Sequence, residues 1–152
     1  MRFVMPCLYA ALASVSFGIV FELHNWKYLF CGAMTGMAGW LVYLLMEDYG
    51  IVPRFFVATI VVAALAELLA RIFKAPATIF LIVGIIPLVP GGGMYYTMEA
   101  LINSDMQLFV RKGLETTASA GAMAVGCSLV SSMARIITVW RRNRHSGPHS
   151  VT

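Results

Sequence analysis

Between Ile79 and Met98 the chain reads IFLIVGIIPLVPGGGMYYTM, an apolar run cut by residues that a continuous helix does not tolerate. Pro87 and Pro90 each remove a backbone donor and clash with the preceding turn, while Gly91, Gly92 and Gly93 leave the backbone free to take positive φ or to open. Peptide groups released inside a membrane cannot face lipid, where each unpaired amide or carbonyl costs several kcal/mol; they must be buried in protein or line a wet cavity. If a second half-helix restarts near Gly93, its free amides and positive dipole end make a receptor for a carboxylate. Glycine lets the ligand approach closely, and Tyr95 and Tyr96 supply hydroxyl donors. The expected binding residues are therefore Pro87, Pro90, Gly91, Gly92, Gly93, Tyr95 and Tyr96. The competing reading is a plain kink that improves packing. Five Pro or Gly among the seven residues from Pro87 to Gly93 favour a functional discontinuity.

Three charged residues inside or at the edge of apolar runs are pathway candidates: Glu67, Glu99 and Arg135. Glu67 lies one turn before Arg71, so the two share a helix face. Either Glu67 binds a proton or an ammonium group, or Arg71 reaches to the membrane surface and Glu67 pairs with it near the helix end. The nearness of Arg71 favours the pair. Glu99 could attract a substrate ammonium at the outer mouth, or simply be solvated; Arg135 could meet an anionic ligand or a partner, or reach inward toward Arg141 and Arg142. No histidine falls within an apolar stretch, and no nucleophile and base stand at recognisable spacing, so a membrane enzyme is disfavoured. His145 and His149 have Gly147 and Pro148 between them, which argues against a metal site. Cys7, Cys31 and Cys127 show no paired spacing and read as small apolar fillers; neither a metal nor another cofactor is expected.

The elements that must position these residues are membrane spans. Of 152 residues 60% are hydrophobic and only 12% charged, with a mean hydropathy of +0.81, which excludes a soluble enzyme. Five stretches are long enough to cross a lipid bilayer: Phe3 to Phe21, Tyr28 to Met46, Phe55 to Phe73, Ala75 to Met98 and Thr116 to Trp140. The first, second and fifth each contain a charge-free run of 19 residues. Counted from Ala75, the fourth breaks after about 18 Å of helix rise, near the bilayer middle. An all-α polytopic fold follows, with a five-span membrane domain over 1–140 and a basic, disordered tail over 141–152. Arg2 followed by an apolar run and Ala11, Leu12, Ala13 also fits a cleaved secretory signal, but apolarity continues to Phe21, which favours a retained helix.

Five spans put Lys27, Arg71, Lys74, Arg141, Arg142 and Arg144 on one side with Arg135 nearby, and Arg2, Arg54, Arg111 and Lys112 on the other. The richer side is expected to be cytoplasmic, leaving the N-terminus, Glu47, Asp48 and Asp105 outside and the C-terminus inside. The same distribution explains the net charge of +4 without a nucleic-acid partner. Gly32, Gly36 and Gly39 form one small-residue face, and Ala118, Ala122 and Gly126 another; each can meet another span of this chain or a second subunit.

The segment GIIPLVPGGGMYYTM at 84–98, with its Pro-x-x-Pro-Gly followed by Tyr, resembles the signature of the threonine/serine exporter family. FGIVF at 17–21, GAMTGMAGWLVYLL at 32–45 and AELLARIFKAPATIFLIVG at 66–84 support the resemblance, which covers nearly all of residues 1–140. It implies a secondary transporter that exports small hydrophilic metabolites through the cytoplasmic membrane: threonine and serine in fused members, succinate or related dicarboxylates in some two-subunit members. The chain looks like the small membrane subunit that corresponds to the C-terminal half of the fused exporters. A second membrane subunit resembling the N-terminal half is therefore expected, and if it too has five spans the two halves form an inverted repeat. The signature falls on Pro87, Pro90, Gly91 and Tyr95. The expected substrate is a small carboxylate-bearing metabolite near the break; a carbonyl-lined pore and a purely structural subunit are the alternatives.

Overall fold

The computed structural model describes residues 4–21 and 25–145, with side chains to residue 140. Six α-helices follow one another: α1 (Val4–Val20), α2 (Trp26–Leu45), α3 (Ile51–Phe73), α4 (Ala77–Ile85), α5 (Gly91–Ile102) and α6 (Met106–His145), with no strand among the described residues. Helices α2, α3 and α6 are long and apolar enough to cross a membrane alone. Helix α4 with its 3-10 extension through Leu88, and α5, are long and apolar enough only together, and meet at a bend of 44°. Apolar α1 has 17 residues, the lower end of what a bilayer requires. The chain is thus an all-α, multi-pass membrane protein with about five crossings.

Local chemistry sets the boundaries. The Asn25 side chain accepts a hydrogen bond from the Lys27 amide and caps α2. Lys74 closes α3 in the left-handed region at φ 52°, and Pro76 then prevents the helix from resuming before Ala77. Asp105 Oδ1 accepts from the Leu108 amide at 3.0 Å and starts α6 ten residues earlier than the expected Thr116. Charged Arg111, Lys112 and Glu115 therefore belong to a helix. Helix α6 also runs on to His145, so the first five residues assigned to the tail continue it; residues 146–152, the side chain of His145 and His149 lie outside the described residues, as do Arg2 and the side chains of Arg141, Arg142 and Arg144.

Helix α2 packs closely on α1, α3 and α4, and its glycines are the reason. A Cβ at Gly32 would press on Val83 of α4, one at Gly36 on Ser14 of α1 and Pro87, and one at Gly39 on Val62 of α3 and Leu88. The first small-residue face thus meets three other spans of this same chain, which settles what spacing left open. Helix α4 reciprocates at Gly84, where a Cβ would collide with Thr35 of α2. On the second face, Gly126 lies against the Phe56 carbonyl and Thr59 of α3, Ala122 is half-buried and Ala118 exposed. Buried Phe55, Ala58, Val62, Leu88 and Met123 form the core, flanked by Leu81 and Ile85. Helix α1 continues unbroken past Ala13, with Ser14 and Gly18 buried, and packs along α2.

Candidate functional site

The break in the fourth span is narrower than the composition suggests. The 3-10 turn Ile86–Leu88 carries the chain to Val89 and Pro90, and α5 begins at once with Gly91. The three glycines are therefore the first turn of a helix rather than opened chain, and none has positive φ. What persists is the helix start itself. Met94 is the first residue whose amide reaches back along α5, donating to the Pro90 carbonyl at 3.1 Å, while the Gly91 amide turns onto Val89 at 2.7 Å. Helix geometry offers no carbonyl to the amides of Gly92 and Gly93. No side chain caps this end.

Helix α5 then leaves the bundle and packs on α6 alone among the long helices. The wedge left between α5 and the α2–α3 pair is a cleft of about 310 Å³. Its walls are Trp40 and Tyr43 from α2, Ile51 and Phe55 from α3, Val89 to Gly93 and Tyr96 from the break, and Lys112, Glu115, Thr116 and Ser119 from α6. A Cβ at Gly91 or Gly92 would meet nothing within 4 Å, so these two present bare backbone to open space. Gly93 differs: its Cβ would strike Thr116, so glycine there allows α5 and α6 to cross closely.

The polar equipment of the cleft comes mostly from residues outside the signature. Lys112 Nζ donates to Glu115 Oε2 at 3.0 Å, and each side chain is about one-third exposed (33% and 31%). Thr116 and Ser119 donate to carbonyls of their own helix, at 2.7 and 2.8 Å, which leaves their oxygen lone pairs free to accept. The Trp40 indole N–H is buried without a partner. Trp40 stacks on Tyr43 with ring centroids 5.2 Å apart, and the Arg54 guanidinium sits over the Tyr43 ring, 4.1 Å from its centroid, while its Nε donates to the Tyr43 carbonyl at 3.0 Å. The cleft thus offers a cation, a carboxylate, free amides and aromatic faces to one small solute.

The expected binding residues divide. Pro90, Gly91, Gly92, Gly93 and Tyr96 line the cleft. Pro87 instead packs near Gly36, and Tyr95 points outward, 65% exposed, touching Tyr96 edge to face. Glu99 lies on the exposed side of α5 and is not part of the cleft wall. Glu67 and Arg135 come together elsewhere, in a cavity between α3, α4 and α6. Arg71 stands 3.9 Å from Glu67, so the anticipated pair forms, and Arg71 also donates to the Ala134 carbonyl of α6 at 3.3 Å. Lys112, Glu115 and Trp40 went unanticipated as site residues, because charges beside an apolar run read as loop and an aromatic within one reads as packing. The signal for the two charges was the Lys-x-x-Glu-Thr-x-x-Ser spacing, which places Lys112, Glu115, Thr116 and Ser119 on one helix face; Trp40 had none. Cys7, Cys31 and Cys127 are free thiols, and among the described residues no group of three His, Cys, Asp or Glu side chains could hold a metal.

Residues 6–133 match the family described as "Threonine/Serine exporter, ThrE". No curated protein and no solved structure matches the chain.

Proposed function

The chain belongs to the threonine/serine exporter family, and from that premise we propose that it is a subunit of a secondary transporter that exports a small zwitterionic metabolite, threonine or serine, from the cytoplasm through the cleft beside Pro90–Gly93. One observation carries this reading: Lys112 and Glu115 sit side by side in a cleft that also holds the free amides of a helix start. A substrate carboxylate takes the Gly92 and Gly93 amides, the Trp40 indole N–H and Lys112, while its ammonium takes Glu115 and the faces of Tyr43 and Tyr96. A dicarboxylate such as succinate fits less well, because its second carboxylate meets Glu115. No bond is made or broken; transport needs only that the site be reached alternately from the two sides.

The charge distribution supports an outside N-terminus and a cytoplasmic C-terminus in the cell membrane, with the cleft toward the outer side. A second membrane subunit resembling the N-terminal half of fused exporters fits the exposure of α6, whose apolar stretch is far less buried than that of α3. Efflux of labelled threonine and succinate, measured with and without that partner, tests the whole reading. Lys112→Gln is expected to raise the half-saturating threonine concentration roughly tenfold, the scale of one charge-assisted hydrogen bond. An unchanged threonine response in that variant removes the cleft from the pathway. Flux that never saturates replaces the carrier with a pore.

A further inference from the structure

A second cavity, of about 380 Å³, lies further along α3 and α6, the two helices it shares with the cleft. Ala63, Ala66 and Glu67 of α3, Ala77, Thr78 and Leu81 of α4, and Ser131, Ala134, Arg135 and Thr138 of α6 line it. Its chemistry repeats that of the cleft: one cation (Arg135 for Lys112), one carboxylate (Glu67 for Glu115), and hydroxyls (Thr78, Ser131 and Thr138 for Thr116 and Ser119). Arg135 makes no ion pair or hydrogen bond among the described residues, so its guanidinium is open to a carboxylate. Glu67 is held loosely by Arg71, at 3.9 Å, while Arg71 is also engaged with the Ala134 carbonyl.

The two cavities share a wall. Phe55 lines the cleft and Leu81 lines the second cavity, and both belong to the apolar layer of Ala58, Val62, Leu88 and Met123. From Phe55 to Ala63 along α3 is about 12 Å of helix rise, and from Ser119 to Ser131 along α6 about 18 Å. Midway on α3 stands Thr59, fully buried, with a hydroxyl that has no hydrogen-bond partner. A helical Thr ordinarily satisfies its hydroxyl on the carbonyl one turn back. This one is an unspent polar group inside the apolar layer.

We propose that the α3–α4–α6 cavity is a second station for the same zwitterionic solute, entered from the side bearing Arg71 and Lys74, with Arg135 receiving the carboxylate, Glu67 the ammonium, and Thr59 marking the passage between stations. The proposal rests on the reading of the cleft and adds a site to it. The test uses full-length protein in native membranes with its natural partner present and Cys7, Cys31 and Cys127 replaced. Ser131→Cys is expected to react with a membrane-impermeant thiol reagent applied from the cytoplasmic face, and L-threonine is expected to slow that reaction several-fold. Thr116→Cys serves as the parallel probe of the cleft. Adding Arg135→Gln to the Ser131→Cys protein is expected to raise the threonine concentration giving half-protection about tenfold, and Arg135→Lys to restore most of it. Failure of Ser131→Cys to react, reaction without protection by threonine, or protection indifferent to Arg135→Gln each overturns the second station. Protection retained at Thr116→Cys in those cases leaves the cleft standing; its loss there overturns the cleft as well.

Discussion

Gly92→Leu is expected to reduce export to background while the folded protein remains intact. A Cβ at Gly92 meets nothing within 4 Å, and the residue lies in the first turn of α5 without positive φ, so neither the backbone nor a neighbour resists the substitution. Leucine is also a better helix former than glycine. The added side chain instead extends into the cleft and shields the Gly92 and Gly93 amides, the groups on which the carboxylate is proposed to rest. Thermal unfolding in detergent should match the unsubstituted protein, and threonine efflux should fall at least tenfold. Native efflux through a normally folded Gly92→Leu protein removes the helix start from the pathway, whatever else the cleft does.

The same substitution at Gly39 is expected to have the opposite character. A Cβ there already collides with Val62 and Leu88, both without solvent exposure, at the point where α2, α3 and the 3-10 turn meet. Leucine must either push α2 away from α3 or force two core side chains out of their rotamers. Overpacking on this scale costs roughly 3 kcal/mol, which for a chain of this size lowers Tm by about 6 °C or more. Gly39→Leu protein should accumulate poorly and elute from size exclusion as aggregate, and Gly39→Ala should show a smaller loss in the same direction. A monodisperse Gly39→Leu protein with native Tm shows that α2 and α3 do not pack as described. Together, Gly39 and Gly92 separate glycines that let helices touch from glycines that face open space.

The membrane made much of the fold legible. Lipid requires long apolar runs and satisfied backbone, so spans, their order and the interruption at Pro87–Pro90 can be read directly. The state of Gly91–Gly93 could not be: glycine permits open chain and helix alike, and here the packing of α5 on α6, through Gly93 and Thr116, selects helix. The start of α6 was hidden for a related reason. Arg111, Lys112 and Glu115 carry no hydrophobic signal, and only the Asp105 cap shows that the helix has already begun. Tyr95 and Tyr96 are alike in sequence and both largely exposed, yet only Tyr96 borders the cleft, because neighbours on a helix face different ways. Glu67 and Arg135 lie on different helices, and only tertiary packing brings them into one cavity.

The joint at Val89–Pro90 divides the molecule mechanically. On one side α1 to α4 interlock through glycine contacts; on the other, α5 is braced by α6 and by none of the other helices to a comparable degree. Tilting α5 about that joint would change the width of the wedge and leave the glycine contacts among α1 to α4 in place, while shifting the close crossing of Gly93 on Thr116. Helix α6, which braces α5, is itself packed along α3, so any change in the width of the wedge must be taken up at the Val89–Pro90 joint and where α5 crosses α6; the proposed resting place of the solute lies in that angle.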